Sequence, residues 1–483
     1  MNFRMIAKSL GVVVCIEALC MIPSLVVSLI YGQGDALAFL YSILISIAAG
    51  LLMYLVKIKS KNFYARDGFV VVALGWILLS FFGSLPFLFN GAISHPIDAF
   101  FETVSGFTTT GSTILREIES LPKGILFWRS FTHWIGGMGV LVFTLAILPS
   151  VGASSFHIMK AEATGPSTEK LVPKLGQTAK ILYTIYTVMT AIQVILLLIA
   201  KMPLYDSLIH AFGSAGTGGF SNRNLSVGAY GNVAAEAIIT VFCFLFGVNF
   251  SLYFQILKGN IRNFFKDGEL RFYAGTVVTA IVFITIQLFS KGLFSFGESL
   301  RHSSFQVVTL ITTTGYSTTD FNLWPSFSKL ILITIMFFGA SAGSTGGGLK
   351  CIRVVLLLKA ARREVARIIH PRAVHTVKSG GKVVDERILS ETMAFFFIYL
   401  AIFVVSFLIV SLDGKDLTST VTSVVATISN VGPGLEVVGP MGNYSSFSDL
   451  SKVVFSFCMI AGRLELIPML ILFSPQAWKR VSI

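Results

Sequence analysis

Runs of about twenty consecutive apolar residues recur from one end of this chain to the other, and no other feature limits the fold as strongly. As a helix, each run is long enough to cross a hydrocarbon layer about 30 Å thick. Backbone N–H and C=O groups must find partners inside the segment at that depth, which leaves helices or closed barrels. The short alternating segments of a membrane barrel are absent. The expected class is therefore an all-α polytopic membrane protein. Spans are expected near 10–31, 36–56, 68–90, 128–149, 180–200, 232–257, 271–290, 327–358, 392–412 and 450–473. The first run follows Arg4 and Lys8 as a secretory signal would. It is too long for one and lacks a small-residue cleavage site, so it is read as a retained helix.

Of the 483 residues only 13% are charged, yet the net charge is +13. Such a surplus can mark a nucleic-acid binder, but here its location argues otherwise. Basic residues gather in every second connection: Lys57, Lys59, Lys61 and Arg66; Lys160, Lys170 and Lys174; Lys258, Arg262, Lys266 and Arg271. The densest stretch, 359–387, includes Arg362, Arg363, Arg367, Arg372 and Lys378. The positive-inside rule places these connections and both termini in the cytoplasm, facing anionic lipid headgroups, with no role for nucleic acid. The 359–387 stretch reads as a solvated helical hairpin, with docking of a cytosolic partner as its second reading. Cys15, Cys20, Cys243, Cys351 and Cys458 lie in or beside apolar runs without metal-like spacing and read as packing residues.

The opposite connections carry a fourfold repeat. They read IDAFFETVSGFTTTGST, YDSLIHAFGSAGTGGFSN, RHSSFQVVTLITTTGYSTTDF and STVTSVVATISNVGPGLEVVG. Each is a half-length helical segment running into a Thr/Ser/Asn/Gly stretch too short to span. Gly111, Gly219, Gly315 and Gly432 are taken as equivalent, with Gly216 and Gly218 competing in the second loop and Gly434 in the fourth. At one common distance before each glycine stand Asp98, Asp206, His302 and Ser419, three of them of good N-cap type. Two crossings per unit return the chain to the same side, so the four units are parallel around an axis along the membrane normal. Non-helical backbone at membrane depth must be buried or line a watery cavity. Four such loops around one axis make a pore, and carbonyls and hydroxyls suit a partly dehydrated cation. The half-helices aim the negative ends of their dipoles inward, which also favours cations. Asp320 and Glu436 are expected to gather cations at the outer mouth, against Arg116 and Arg223 at comparable positions.

Two further features lie on the other side of these loops. The eighth run contains GASAGSTGGGLK (339–350), a glycine run dense enough to unwind a helix, although close packing through small residues is an alternative. It lacks the register of a phosphate-binding loop and any preceding strand. Arg463 stands near the middle of the tenth run, where a charge is costly and is either functional or paired; Glu465 is the near partner in sequence.

The motifs TTTGST, AGTGGFSN, TTTGYSTTDF, SNVGPGLE, GASAGSTGGGLK and AGRLELIP resemble the TrkH/TrkG/KtrB/HKT superfamily of potassium transporters, and within it the bacterial TrkH-type subunits. The resemblance spans nearly the whole chain. It implies an N-terminal helix pair (1–66) and four pore units (67–160, 161–266, 267–385, 386–483). It implies a potassium filter at Thr109, Thr110 and Gly111; Thr217, Gly218 and Gly219; Thr313, Thr314 and Gly315; and Asn430, Val431 and Gly432. It further implies a gate made of the 339–348 loop, with Gly343, Gly346, Gly347 and Gly348, together with Arg463. A homodimer in the bacterial inner membrane and a cytosolic TrkA-type nucleotide-binding partner complete the expectation, with no nucleotide bound by this chain. Glycine in all four loops favours potassium over sodium. A proton- or sodium-coupled symporter is the alternative, for which the deep acidic candidates are Glu17, Glu236, Glu391 and Glu465. No HExxH, no GxSxG and no deep carboxylate pair supports an enzyme.

Overall fold

A computed structural model describes residues 1–58, 64–139, 175–373, 375–379 and 382–478. Lys59, Lys61, Lys160, Lys170, Lys174, the end of the expected 128–149 span and the 160/161 unit boundary lie outside the described residues. Within them the chain is almost wholly α-helical; its one sheet is a two-residue ribbon pairing Lys378–Ser379 with Lys382–Val383.

Among the described residues six helical segments are long and apolar enough to cross a membrane: Phe3–Tyr31, Ala36–Tyr54, Arg66–Asn90, Gln177–Ile199, Gly268–Ser290 and Glu386–Asp413. A seventh is the pair Val233–Phe246 and Phe250–Leu257, expected as one continuous helix but bent by 90°. Of the remaining expected spans, the one at 128–149 is described only as far as 139, with a helix Lys123–Gly137, and the other two are interrupted: Ser326–Phe338 followed by Cys351–Ile369, and Asp449–Arg463 followed by Ile467–Phe473. A regularity missed in the sequence follows from this. In each unit the helix before the half-helix is long, and the helix after it breaks off or bends. The first ends at Gly137, with Gly139 at φ +80°, and the second bends at Gly247–Asn249. The third opens at Gly339 (φ +68°), and the fourth stops at Arg463, with Glu465 and Leu466 at positive φ.

The half-helices are Pro96–Phe107, Leu204–Gly216, Phe296–Ile311 and Leu417–Ile428. Their caps stand earlier than expected. Asp98, Asp206 and Ser419 sit inside the first turn and His302 sits mid-helix, whereas the capping positions are His95, Pro203, Ser295 and Asp416. Ser295 and Glu298 form a reciprocal capping box, and the Asp416 carboxylate accepts from Ser419 N–H at 2.8 Å. From Ser419 to Ile428 nearly every residue is buried, as is nearly every residue from Asp206 to Gly216. By contrast Glu386–Asp413 is only 22% buried along its most apolar window. The half-helices are the centre of the molecule, and the long helices present apolar faces outward, as a lipid solvent requires.

Beyond Ile369 the basic stretch is not the expected helical hairpin. The helix Cys351–Ile369 is followed by the ribbon, which folds back so that Val377 packs with Leu356 and Leu389, and Lys359 Nζ donates to Lys378 O at 2.7 Å.

Candidate ion pathway

Each half-helix ends in the same backbone motif. Thr109, Thr217, Thr313 and Asn430 have φ of +54°, +56°, +59° and +56°. The next residue's N–H reaches back to close the helix: Thr110 to Ser105 O (2.9 Å), Gly218 to Gly213 O (2.8 Å), Thr314 to Thr309 O (2.7 Å) and Val431 to Ala426 O (2.8 Å). This is the Schellman closure, whose left-handed position usually holds glycine. Threonine there costs about 1–3 kcal/mol per residue and persists only where the surroundings enforce it. One residue beyond that closing N–H come Gly111, Gly219, Gly315 and Gly432, at φ +81°, +78°, +80° and +97°. Gly216, Gly218 and Gly434 do not share this conformation.

The four loops close on one another. A Cβ on Gly111 would lie 2.1 Å from Gly218 O, one on Gly219 would lie 1.9 Å from Thr314 O, one on Gly315 would lie 2.3 Å from Val431 O, and one on Gly432 would lie 2.5 Å from Thr110 O. Each glycine therefore abuts the carbonyl just before the next glycine, and the fourth returns to the first. That cyclic order is a pseudo-fourfold ring. Glycine is required at these points both for its φ and for the space its missing side chain leaves.

Buried polar contacts hold the loops from behind. Arg129 Nε donates to Glu102 Oε1 at 2.6 Å and Arg129 Nη1 to Ser221 O at 3.0 Å, while Glu102 also accepts from Ile114 N–H at 2.9 Å. This pair ties the first loop to the second, and neither Arg129 nor Glu102 stood out in the sequence. Phe220 N–H approaches His133 Nε2 at 3.3 Å. Tyr316 Oη donates to His210 O at 3.2 Å, linking the third loop to the second. Tyr444 Oη donates to Gly432 O at 2.9 Å, and Asn430 Nδ2 to Thr110 Oγ1 at 2.9 Å.

On one side of the ring lies a cavity of about 310 Å³, lined by all four glycines and by residues that follow them, among them Ser112, Arg116, Ser221, Arg223, Ser317 and Tyr444. Asp320 and Glu436 are not part of its wall. Asp320 caps a short turn by accepting from Asn322 N–H at 3.0 Å, and Glu436 faces Lys329 at 3.9 Å. Of the four charged residues expected at the mouth, Arg116 and Arg223 line this cavity and Asp320 and Glu436 do not.

On the other side, the interrupted segment 339–350 touches residues that precede the glycines. Gly347 N–H donates to Thr313 Oγ1 at 2.7 Å, and Cβ atoms on Gly346 and Gly347 would meet Thr312 O at 3.0 Å and Ser429 O at 2.4 Å. Gly343 O accepts from Phe250 N–H at 3.0 Å, so this loop rests on the bend of the second unit; Gly348, at φ +72°, packs against Gly339. Arg463 is buried and donates to Thr345 O (2.7 Å), Gly136 O (2.6 Å) and Gly137 O (2.5 Å). Gly136 and Gly137 end their helix, where carbonyls lack intrahelical partners and a cation is favoured. Glu465 pairs with Arg353. Two residues passed over in the sequence complete the layer. Glu269 Oε1 accepts from Ala342 N–H at 2.7 Å and Ile352 N–H at 3.0 Å, holding both ends of the loop. Lys350, also buried, donates to Gly346 O. The deep acids picked out in the sequence thus leave out Glu102 and Glu269, because neither lies within an unbroken apolar run.

With ring, cavity and loop in view, comparison with known proteins is decisive. Residues 36–480 match the family model of TrkH, a cation transport protein. This chain belongs to the TrkH family. It is 38% identical to the Trk system potassium uptake protein TrkH of Salmonella typhimurium, covering 99% of this chain and 100% of that protein. It is 32% identical to the Trk system potassium uptake protein TrkG of Escherichia coli, covering 99% of each. The crystal structure of the potassium transporter TrkH from Vibrio parahaemolyticus superposes with a TM-score of 0.89 at 34% identity, over 99% of this chain and 100% of that one. The family is one of transporters, and this member is a multi-pass helical membrane protein.

Proposed function

We propose that this chain is the ion-translocating subunit of a potassium uptake system and that the ion passes through the glycine ring. The observation that carries this reading is the cyclic closure of Gly111, Gly219, Gly315 and Gly432, each against the carbonyl preceding the next. Four walls of carbonyls and hydroxyls replace part of a hydration shell, with Thr109, Thr110, Thr217, Gly218, Thr313, Thr314, Asn430 and Val431 supplying the rest of each wall. The names of the relatives, which are potassium uptake proteins, supply the ion.

The 339–348 loop and Arg463 form the gate in this reading. The loop contacts the third and fourth walls directly, and a guanidinium below the ring repels a resting cation. Opening then requires Arg463 to leave three carbonyls, and a displaced loop gives up its bond to Thr313 as well. The basic stretch 359–387 with its ribbon is the proposed docking surface for a cytosolic nucleotide-binding partner of TrkA type. A homodimer in the bacterial inner membrane, with both termini cytoplasmic and four pore units at the boundaries given above, completes the proposal.

Proton-coupled flux is the second reading, and Glu17 is the residue that favours it. Its carboxyl is buried against Gly83 with no hydrogen-bond partner among the described residues. It does not line the cavity at the ring. Reconstitution into liposomes under a potassium or sodium gradient, with and without a proton gradient, separates the readings. Potassium flux without a proton gradient is expected. Flux only with one would establish coupling, and equal potassium and sodium flux would overturn selectivity.

A further inference from the structure

The wall of the cavity outside the ring carries three arginines, Arg116, Arg129 and Arg223, and no aspartate or glutamate. That is the reverse of what a cation entrance needs to concentrate its ion. Only Arg129 is neutralised locally, by Glu102 at 2.6 Å with both side chains buried. Arg223 faces Glu119 at 3.4 Å, but both are more than two-fifths exposed, and such pairs are weak and screened. Arg116 donates to the Ser445 hydroxyl at 3.0 Å, and among the described residues no carboxylate lies within 4 Å of it. Two arginines without strong local neutralisation therefore stand in the wall of the space through which the cation must come.

We propose that Arg116 and Arg223 make this cavity a valence filter, which admits monovalent cations and holds divalent cations away from the glycine ring. The inference rests on the pore reading above and names a selectivity that the ring cannot supply. A ring of neutral oxygens sized for potassium binds a divalent ion of similar radius more tightly, and such an ion would lodge and block. A positive potential at the entrance acts on the exponent of the ion's charge. Whatever factor it imposes on a monovalent ion, it imposes the square of that factor on a divalent one. A small penalty on potassium thus becomes a larger protection against block.

The probe is barium, a divalent cation close to potassium in radius, added outside proteoliposomes that carry the full chain and a potassium gradient. Replacing both residues by glutamine (R116Q/R223Q) is expected to raise potassium flux about twofold at low salt. The barium concentration for half block should fall about fourfold, and both effects should shrink as salt is raised. The charge-preserving pair R116K/R223K should stay close to the unmodified protein, which separates charge from loss of packing. Unchanged barium block in R116Q/R223Q, with potassium flux intact, would overturn the valence filter alone. The same holds if the lysine pair behaves like the glutamine pair. Absence of potassium flux in the unmodified protein would overturn the pore reading, and the inference with it.

Discussion

The glycine ring and the layer beneath it follow different rules. In the ring, all four loops adopt one backbone: a left-handed Thr or Asn, a closing N–H, then a glycine against its neighbour's carbonyl. In the layer below, each unit differs. The first ends a helix at Gly137, the second bends by 90°, the third inserts the 339–350 loop, and the fourth contributes Arg463. In the proposed pore, a site that surrounds one ion equally from all sides has reason to be fourfold. The proposed barrier needs only one obstruction, held by whatever neighbours can satisfy it, so symmetry there has no use.

The largest expected effect breaks the regular half. In Gly219→Ala the added methyl would sit 1.9 Å from Thr314 O, so two walls must separate, and potassium flux should drop about a hundredfold or more in proteoliposomes. Next comes the irregular half. Arg463→Gln removes the charge below the ring and the donors to Gly136 O and Gly137 O. Flux should rise about tenfold, although the helix end loses stabilisation of about 1–2 kcal/mol; a fall in flux would sink the barrier role. Glu269→Ala leaves Ala342 and Ile352 N–H groups without their shared acceptor. It should raise flux a few-fold and lower the thermal midpoint, with a cost of about 2 kcal/mol.

The smallest effect tests the scaffold shared by both halves. Asp416→Ala should cost about 1 kcal/mol and leave flux near normal. Hydrogen bonds from Ser419 hold the Asp416 carboxyl below its ordinary value. The stabilisation is therefore complete above the ordinary carboxylate range and is lost as pH falls through the lowered folded-state value. A thermal-midpoint difference between D416A and the unmodified protein that grows on acidification would contradict this.

The same contrast explains what could be read from sequence. The ring was legible because its chemistry is local. Thr-Thr-Gly, Thr-Gly-Gly and Asn-Val-Gly stretches each follow a short apolar segment, and four copies in register constrain one another. The layer beneath was legible only where composition is extreme, in the glycine run and at Arg463. The bend at Gly247–Asn249 sits inside an apolar stretch that a hydropathy window passes over without a mark. Glu269 gains its role from N–H groups more than seventy positions away in the chain, which no local pattern records. The cavity wall was misjudged for a related reason. Nearness to the glycines in sequence put Asp320 and Glu436 at the mouth beside Arg116 and Arg223, whereas the fold turns the two acids to Asn322 and Lys329 and leaves only the arginines in the cavity wall.

The most direct test of a single site shared by four loops is ion-dependent stability, which reads binding without requiring flux. An ion that binds only the folded state raises the thermal midpoint, by an amount equivalent to about 2.7 kcal/mol at a hundred times its dissociation constant. Potassium should stabilise the detergent-solubilised protein more than sodium does. Each of Gly111→Ala, Gly219→Ala, Gly315→Ala and Gly432→Ala should remove that difference on its own while the protein remains folded in potassium-free buffer. A potassium-dependent shift that survives in any one of the four, or a sodium shift equal to that of potassium, would contradict a common potassium site at the ring.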